Sequence, residues 1–488
     1  MYFTACLKSV PKGYMRRSPG PGEGYETMRL LLIRTTLGIS LFRKKSRDKA
    51  RPPFSPPTDL LYLASVLEHE GVAVTVLDSA CEENPLEAIR RHAAASDAVV
   101  LSVHSSNPQE TGNLARIIRD QAPDVPLILQ GPYCGIRPSG VLQEIPLAQI
   151  SISGEAEFIV QPLLAALAGS RPLADVPGIY YRDHTAIKKG RDLVENPDLD
   201  ALPFPARHLV ERYDYGRFNG VHLTRPRLTS IVTSRGCPFH CRFCTTHVHS
   251  KTFRKRSPGN VLAEFQEIQH MYRSVMIEDR NFLADPKRAH QIFEGLIANG
   301  SILELLITGA RVDTAQRDLY QKMKRAGVKF ISYGLESGVQ ETLDYYHKNI
   351  TLEQTRSAVA LAAEMGIITW GNFILGAPHE TADDIRQTIR FACSLPLDIV
   401  FYRTLAYQQG SDLWDEAVER GNIGEDEDAF ILADSQRNLS PFTAADLTDL
   451  GRRATHAFYL RPQYLARAFY RTVRQRDPTM VKTLCALL

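Results

Sequence analysis

Between Met28 and Gly169, short apolar runs alternate with stretches of helical spacing. MRLLLIR (28–34), VAVTVLD (72–78), DAVVLSV (97–103), VPLILQG (125–131) and LAQISIS (147–153) are short, mostly apolar and bounded by turn residues. They predict strands buried on both faces. DLLYLASVLEHEG (59–71), NPLEAIRRHAAAS (84–96), ETGNLARIIRDQAP (110–123) and the run ending at Gly169 carry apolar residues on one helical face. Strand and helix in strict alternation predict an α/β, doubly wound, Rossmann-like parallel sheet over 28–170. In such sheets ligands meet the carboxyl ends of the strands. Those ends read VHSSNP (103–108), QGPYCG (130–135) and SGEAE (153–157), which are either ligand loops or plain tight turns.

Residues 171–227 read as a linker, with a hairpin in PGIYYRDHTAIKKGRD (177–192) and proline punctuation in ENPDLDALPFPARHL (195–209). A second alternating series follows. Its strand candidates are LTSIVTS (228–234), SVMIEDRNF (274–282), LELLITGA (303–310), KFISYGLES (329–337), IITWGNFILG (367–376) and LDIVFYRTLA (397–406). Helices fall between them, one expected as a long segment from Val339 to Gly366. The series predicts a partial (β/α)6 barrel over 228–405, smaller than the eight-stranded kind. Polar residues gather at the strand ends: Asp279 and Asn281, Arg311 and Asp313, Glu336 and Ser337, and Pro378 to Glu380. In parallel barrels that end is the active face. Residues 406–488 predict a mainly helical extension whose last stretch, from His456, is basic and aromatic. Either it closes the open side of the barrel, or it presents a face to a membrane surface or an apolar substrate.

Composition narrows the function classes. The chain has 488 residues, 44% hydrophobic and 23% charged, with a net charge of +3. This is ordinary for a soluble multidomain protein and gives no reason to expect nucleic acid as a partner. No apolar run reaches the roughly 20 residues of a membrane span. Residues 1–27 lack a signal-peptide core and are expected to be a disordered extension. Eight cysteines in such a length do not make a disulfide scaffold, so a cytoplasmic, reducing setting is expected.

Three of those cysteines, Cys237, Cys241 and Cys244, sit together in VTSRGCPFHCRFCTTHVHS (232–250), after the first barrel strand. With His240, His247 or His249 they have the donors for structural zinc, although zinc sites usually pair two separated halves. A disulfide suits neither an odd count nor the compartment. A four-iron cluster held by three thiolates would keep one iron open to bind a small molecule.

The C-x3-C-x2-C spacing resembles the radical S-adenosylmethionine (SAM) superfamily, and an aromatic residue before the third cysteine, here Phe243, belongs to the same pattern. IEDRNF, GAR, YGLESG and NFILGAPHET follow in the order of that superfamily's loops. The first domain is similar to the cobalamin-binding domain that precedes many such enzymes, through PPTDLLYLASVLEHEG, Asp78, LSVHSSN, LQGPYCG and ISGEAEF. It departs from the familiar form at Gly131-Pro132 and at Ala156, and lacks the Asp-x-His-x-x-Gly motif that brings a histidine to cobalt.

The resemblance implies a class B type radical SAM methyltransferase. Cys237, Cys241 and Cys244 would hold a [4Fe-4S] cluster. Phe243, Asp279, Arg311, Glu336, Ser337 and Gly376 would meet SAM, with Arg311 on its carboxylate and Glu278 a lesser alternative to Asp279. Ser105, Ser106, Gly131, Pro132, Gly154 and Glu155 would meet cobalamin, without histidine on the cobalt, and the long loop 35–57 would cover the corrin. The implied reaction is methylation of an unactivated carbon of a small-molecule or lipid-like substrate. The alternatives are a non-methylating oxidative cyclisation, on a porphyrin-like or natural-product substrate, and an enzyme whose cobalamin domain is empty. A ferredoxin or flavodoxin would supply electrons.

Overall fold

The computed structural model describes residues 25–35, 54–104, 108–193, 195–218, 220–424, 427–474 and 477–487. The N-terminal extension, Ser105, Ser106 and most of the loop 35–57 lie outside the described residues. The chain divides into two compact units between Asp214 and Tyr215.

The first unit is built on β1 (Arg29–Arg34), β2 (Ala73–Asp78), β3 (Ala98–Ser102), β4 (Leu127–Gln130), β5 (Ile150–Ile152), β6 (Ile179–Asp183) and β7 (Ala186–Lys189). Their order is β2-β1-β3-β4-β5-β6-β7, with β1 to β5 parallel and the last two antiparallel. Leu31, Leu32, Ile33, Val99 and Leu129 are fully buried, which is why these strands read as unbroken apolar runs. The order reverses between β1 and β3, the switch point at which doubly wound sheets open a crevice. There the Thr35 hydroxyl donates to the Ser102 carbonyl at 2.6 Å, and Arg34 reaches Asp78 at 3.2 Å.

One expectation needs correcting. The hairpin of the supposed linker does not stand apart but extends the first sheet, with Ile179 opposite Ile152 on β5. The segment after it is also packed down: Ala206 donates to the Leu61 carbonyl at 3.0 Å and Arg212 to that of Val76 at 2.8 Å. Strand β5 has only three residues, and an antiparallel hairpin satisfies the edge it would otherwise leave open.

The second unit carries β8 (Leu228–Ile231), β9 (Ser274–Ile277), β10 (Glu304–Ala310), β11 (Val328–Glu336), β12 (Ile368–Leu375) and β13 (Ile399–Thr404). All six are parallel and pair in sequence order in an open sheet. Helices follow the strands, and several begin as their sequences dictate: Ser257 and Asp285 cap their first turns, and Thr351 and Thr381 form capping boxes with Gln354 and Asp384.

The helix expected over Val339–Gly366 is two helices, Gln340–Tyr345 and Leu352–Glu364. His347 and Asn349 adopt left-handed backbone between them (φ 49° and 51°), and the capping box at Thr351 restarts the helix. The break lets Lys348 turn inward.

The C-terminal helix Ala444–Tyr459 packs against β13, and Pro462–Arg474 reaches the residues just before that strand. The Tyr459 hydroxyl donates to the Val400 carbonyl and accepts from the Val400 amide, while Tyr464 donates to the Asp398 carbonyl at 3.0 Å. Phe458, Tyr459 and Tyr464 stack edge to face inside the core of this unit.

Candidate functional site

The three cysteines occupy the loop that leaves β8 at its carboxyl end. A two-residue antiparallel ladder, Ser234–Arg235 against Arg254–Lys255, clamps the base of that loop. Inside it the Cys244 amide donates to the Cys241 carbonyl at 2.9 Å, and the Arg242 amide to that of Tyr346 at 3.0 Å. The Arg242 side chain ion-pairs with Glu416. The three thiols are free and half-buried. Burial pushes the Cys237 and Cys241 thiols up, while Arg311 and Lys348 pull them down.

Those two cations define the floor of the site. Arg311, at the end of β10, lies with its guanidinium 3.8 Å from the Phe239 ring centroid. It forks onto Asp313 at 2.8–3.1 Å and donates to the Asn349 carbonyl at 3.2 Å. Its Nη1 is buried without a partner in the chain. Lys348, which sequence reasoning missed, is buried and pairs with Glu336 at 2.6 Å. Burial works against its charge, but the Glu336 carboxylate and the nearby Cys241 outweigh it and raise the ammonium above its usual range. Its Nζ is 6.0 Å from the Phe243 ring centroid, and that ring meets Tyr346 edge to face at 5.3 Å.

Glu336 itself holds left-handed backbone (φ 59°) at an irregularity in the β11–β12 register. Such backbone costs about 1–3 kcal/mol in a non-glycine residue and concentrates at functional sites. The ion pair closes over Gly334, where a Cβ would lie 2.4 Å from Glu336 Oε1 and 2.8 Å from Lys348 Nζ. A side chain at 334 would have to push the two charged ends aside.

Other expected positions serve differently. The buried Asp279 carboxylate accepts from the Thr233 amide and hydroxyl, both at 2.6 Å, and from the Ser234 hydroxyl at 2.5 Å. Burial raises its carboxyl while these bonds lower it. Asp279 therefore ties the start of the cysteine loop to β9. Ser337 is also taken up internally: its hydroxyl meets Thr388 at 3.1 Å and accepts from the Val339 amide. Asn281, two residues beyond Asp279, is the better candidate, with both amide atoms buried and unpartnered. Gly376, at the end of β12, donates its amide to Glu380 at 2.6 Å. Burial raises the Glu380 carboxyl to about 7, against the amides of Ala377 and Gly376.

In the first unit, Gly131 (φ 112°) brings its backbone against β3, where a Cβ would sit 2.9 Å from the Val103 carbonyl oxygen. Pro132 opens the short helix Pro132–Ile136 that follows. Gly154 and Glu155 come to the same carboxyl edge of the sheet. The space beside Gly154 is taken by Leu193, whose Cδ2 would be 2.1 Å from a Cβ there. A side chain at 154 would have to displace the end of Leu193. The Cys134 thiol is fully buried, and burial pushes it up to about 12, so it is a core side chain and not a ligand.

Among the described residues, no three His, Cys, Asp or Glu side chains converge as the ligands of a single ion would. Thiolates of a four-iron cluster bind three different irons and need not converge on one point. Residues 231–392 match the model of the radical SAM superfamily. The second unit is a radical SAM domain. The chain therefore carries a domain of the class that uses a [4Fe-4S] cluster and SAM. Over 424 residues it is 28% identical to an uncharacterized methyltransferase of Pyrococcus horikoshii, covering 85% of this chain and 90% of that protein. Over 385 residues it is 26% identical to the anaerobic magnesium-protoporphyrin IX monomethyl ester cyclase of Rubrivivax gelatinosus, covering 75% and 67%. The chain also shares its fold with the cobalamin-dependent SAM radical enzyme OxsB, solved with aqua-cobalamin and SAM. That match has a TM-score of 0.71 at 16% identity, over 93% of this chain and 72% of the other.

Proposed function

We propose that this protein is a cobalamin-dependent radical SAM methyltransferase acting on a small or lipid-like molecule. The observation that carries the reading is the meeting of three half-buried thiols with two buried cations, one of which keeps an unsatisfied guanidinium nitrogen. When bound, the cluster and SAM supply a carbon-centred radical that removes a substrate hydrogen, and cobalamin supplies the methyl group.

Cys237, Cys241 and Cys244 would hold the cluster, and the positive charges of Arg311 and Lys348 would offset the thiolates in a poorly hydrated pocket. Arg311 is fixed by Asp313 and by the Phe239 face, so it meets a carboxylate with little further loss of freedom. Its free Nη1 and the Asn281 amide are the unsatisfied groups a SAM carboxylate and amine would complete. Phe243 and Tyr346 wall the pocket against water. In the first unit, the switch point between β1 and β3 and the turn at Gly131 would receive the corrinoid.

The likeness to the cyclase supports a second reading, a radical reaction without methyl transfer. Product analysis separates the two. Anaerobically reconstituted enzyme, supplied with cobalamin and metabolite extract, should retain the corrinoid and release S-adenosylhomocysteine together with 5′-deoxyadenosine. Release of 5′-deoxyadenosine alone, with no corrinoid retained, would favour the second reading.

A further inference from the structure

The helix Pro462–Arg474 is turned inside out. Its inward face presents Tyr464, Ala468, Arg467 and Arg471, and both arginines reach the buried Asp398 carboxylate, at 3.3 and 2.7 Å. Its outward face presents Leu465, Phe469, Tyr470 and Val473, with Phe469 69% and Val473 57% exposed. An ordinary surface helix does the reverse. Leu460 and Val481 on the flanking segments are exposed as well.

Charge says what covers this face. Of the six arginines or lysines at positions 461–482, Arg461, Arg467 and Arg471 are engaged inward, while Arg474 and Lys482 stay exposed, and the one acidic residue of that stretch is Asp477. Self-association about a two-fold axis would set this one-signed segment against itself. An anionic surface complements it. Residues just beyond the helix, Asp477 to Thr479, also help line a cleft of about 530 Å³ at the amino-terminal end of the strands, with Arg225, Lys324, Lys329 and Lys482. Glu304 there pairs with Arg225 and Lys329. Lys324 has only a long bond, 3.5 Å, to the Gly366 carbonyl. Burial, then Arg471, holds its ammonium below the usual range. Lys324 is exposed there beside Arg471 and Lys329, with Asp477 drawing on its charge, and the cleft's four cations outnumber its two carboxylates, so it keeps a net positive charge for an anion to meet.

We infer that this face docks the enzyme on an anionic phospholipid surface, with Phe469, Tyr470 and Val473 entering the interfacial region and the Lys324–Lys482 cleft meeting headgroup phosphates. The inference is independent of which radical reaction the enzyme performs. No helix among the described residues is long and apolar enough to cross a membrane, so the contact is peripheral.

Sedimentation of the full-length protein with vesicles tests this. Vesicles containing phosphatidylglycerol should carry the protein down, and phosphatidylcholine alone should carry much less. Salt should weaken the binding. The double variant Phe469→Ser, Val473→Ser should lower the partition at least about tenfold, with an unchanged melting temperature, because both side chains are exposed. Lys324→Glu with Lys482→Glu should erase the preference for anionic vesicles. Three results would each overturn the proposal: no binding to anionic vesicles at low salt, undiminished binding by the serine variant, or a wild-type dimer that the serine variant dissolves without any lipid binding.

Discussion

Replacing Lys348 by methionine asks whether the Lys348–Glu336 pair is the buried strut of the site. Both side chains are under one-tenth exposed and only 2.6 Å apart. Removing the ammonium leaves a buried carboxylate uncompensated, on a residue already held in left-handed backbone. Breaking one half of such a pair costs about 3–5 kcal/mol. For a folding unit of this size each kcal/mol lowers the melting temperature by about 2–4 °C, so a fall of at least about 6 °C is expected. The second substitution makes the test specific. Lys348→Met with Glu336→Gln removes both charges, and replacing a whole buried pair is close to neutral, so most of the lost stability should return. Binding of SAM should not return, because the cation near Cys241 is still missing. Scanning calorimetry of the metal-free protein, with anaerobic equilibrium binding of SAM to the reconstituted one, reads the two effects separately. A single variant that melts within about 1 °C of wild type would refute the burial argument. So would a double variant no more stable than the single.

Arg311→Lys keeps the charge but loses the fork onto Asp313 and the stacking on Phe239. SAM affinity should fall at least about tenfold with little change in iron content, and wild-type affinity would remove Arg311 from the site. Glu380 has a folded value near 7, above its ordinary 4.5, so its contribution is full below about 4.5 and is lost as pH rises through about 7. That change is on the order of 3 kcal/mol, and Glu380→Gln should flatten this part of the stability–pH curve; an unchanged slope would assign the pH dependence elsewhere. Gly131→Ala forces a side chain into φ 112° backbone against the Val103 carbonyl, costing about 1–3 kcal/mol and weakening corrinoid retention. An alanine variant that binds corrinoid and melts like wild type would show that this turn needs no glycine.

Much of the fold was legible because parallel strands buried on both faces leave unbroken apolar runs, as MRLLLIR and LELLITGA do. The spacing marks the cysteine loop as a candidate site, and the strand-end positions mark Arg311 and Glu336, whose charges act on Cys237 and Cys241. Lys348 was hidden because a continuous helical pattern from Val339 to Gly366 conceals the two left-handed residues that break it. Asp279 and Ser337 show the opposite difficulty: a polar residue at a strand end can be spent on its neighbours' amides and hydroxyls, and sequence does not tell which way the side chain turns. Asn281, two residues on, has both amide atoms buried without a partner, and that is a three-dimensional property. The hairpin at 179–189 was visible, but its attachment to β5 depends on a contact between strands far apart in the chain.

Mössbauer spectroscopy of protein reconstituted with ⁵⁷Fe, before and after SAM is added, tests the central claim most directly. Three thiolates on four irons leave one iron without a protein ligand. SAM should therefore shift about a quarter of the iron signal and leave the rest in place, and replacing Cys237, Cys241 and Cys244 with alanine should abolish the signal altogether. Iron that fails to bind, or a four-iron spectrum that SAM leaves unchanged, would contradict the assignment.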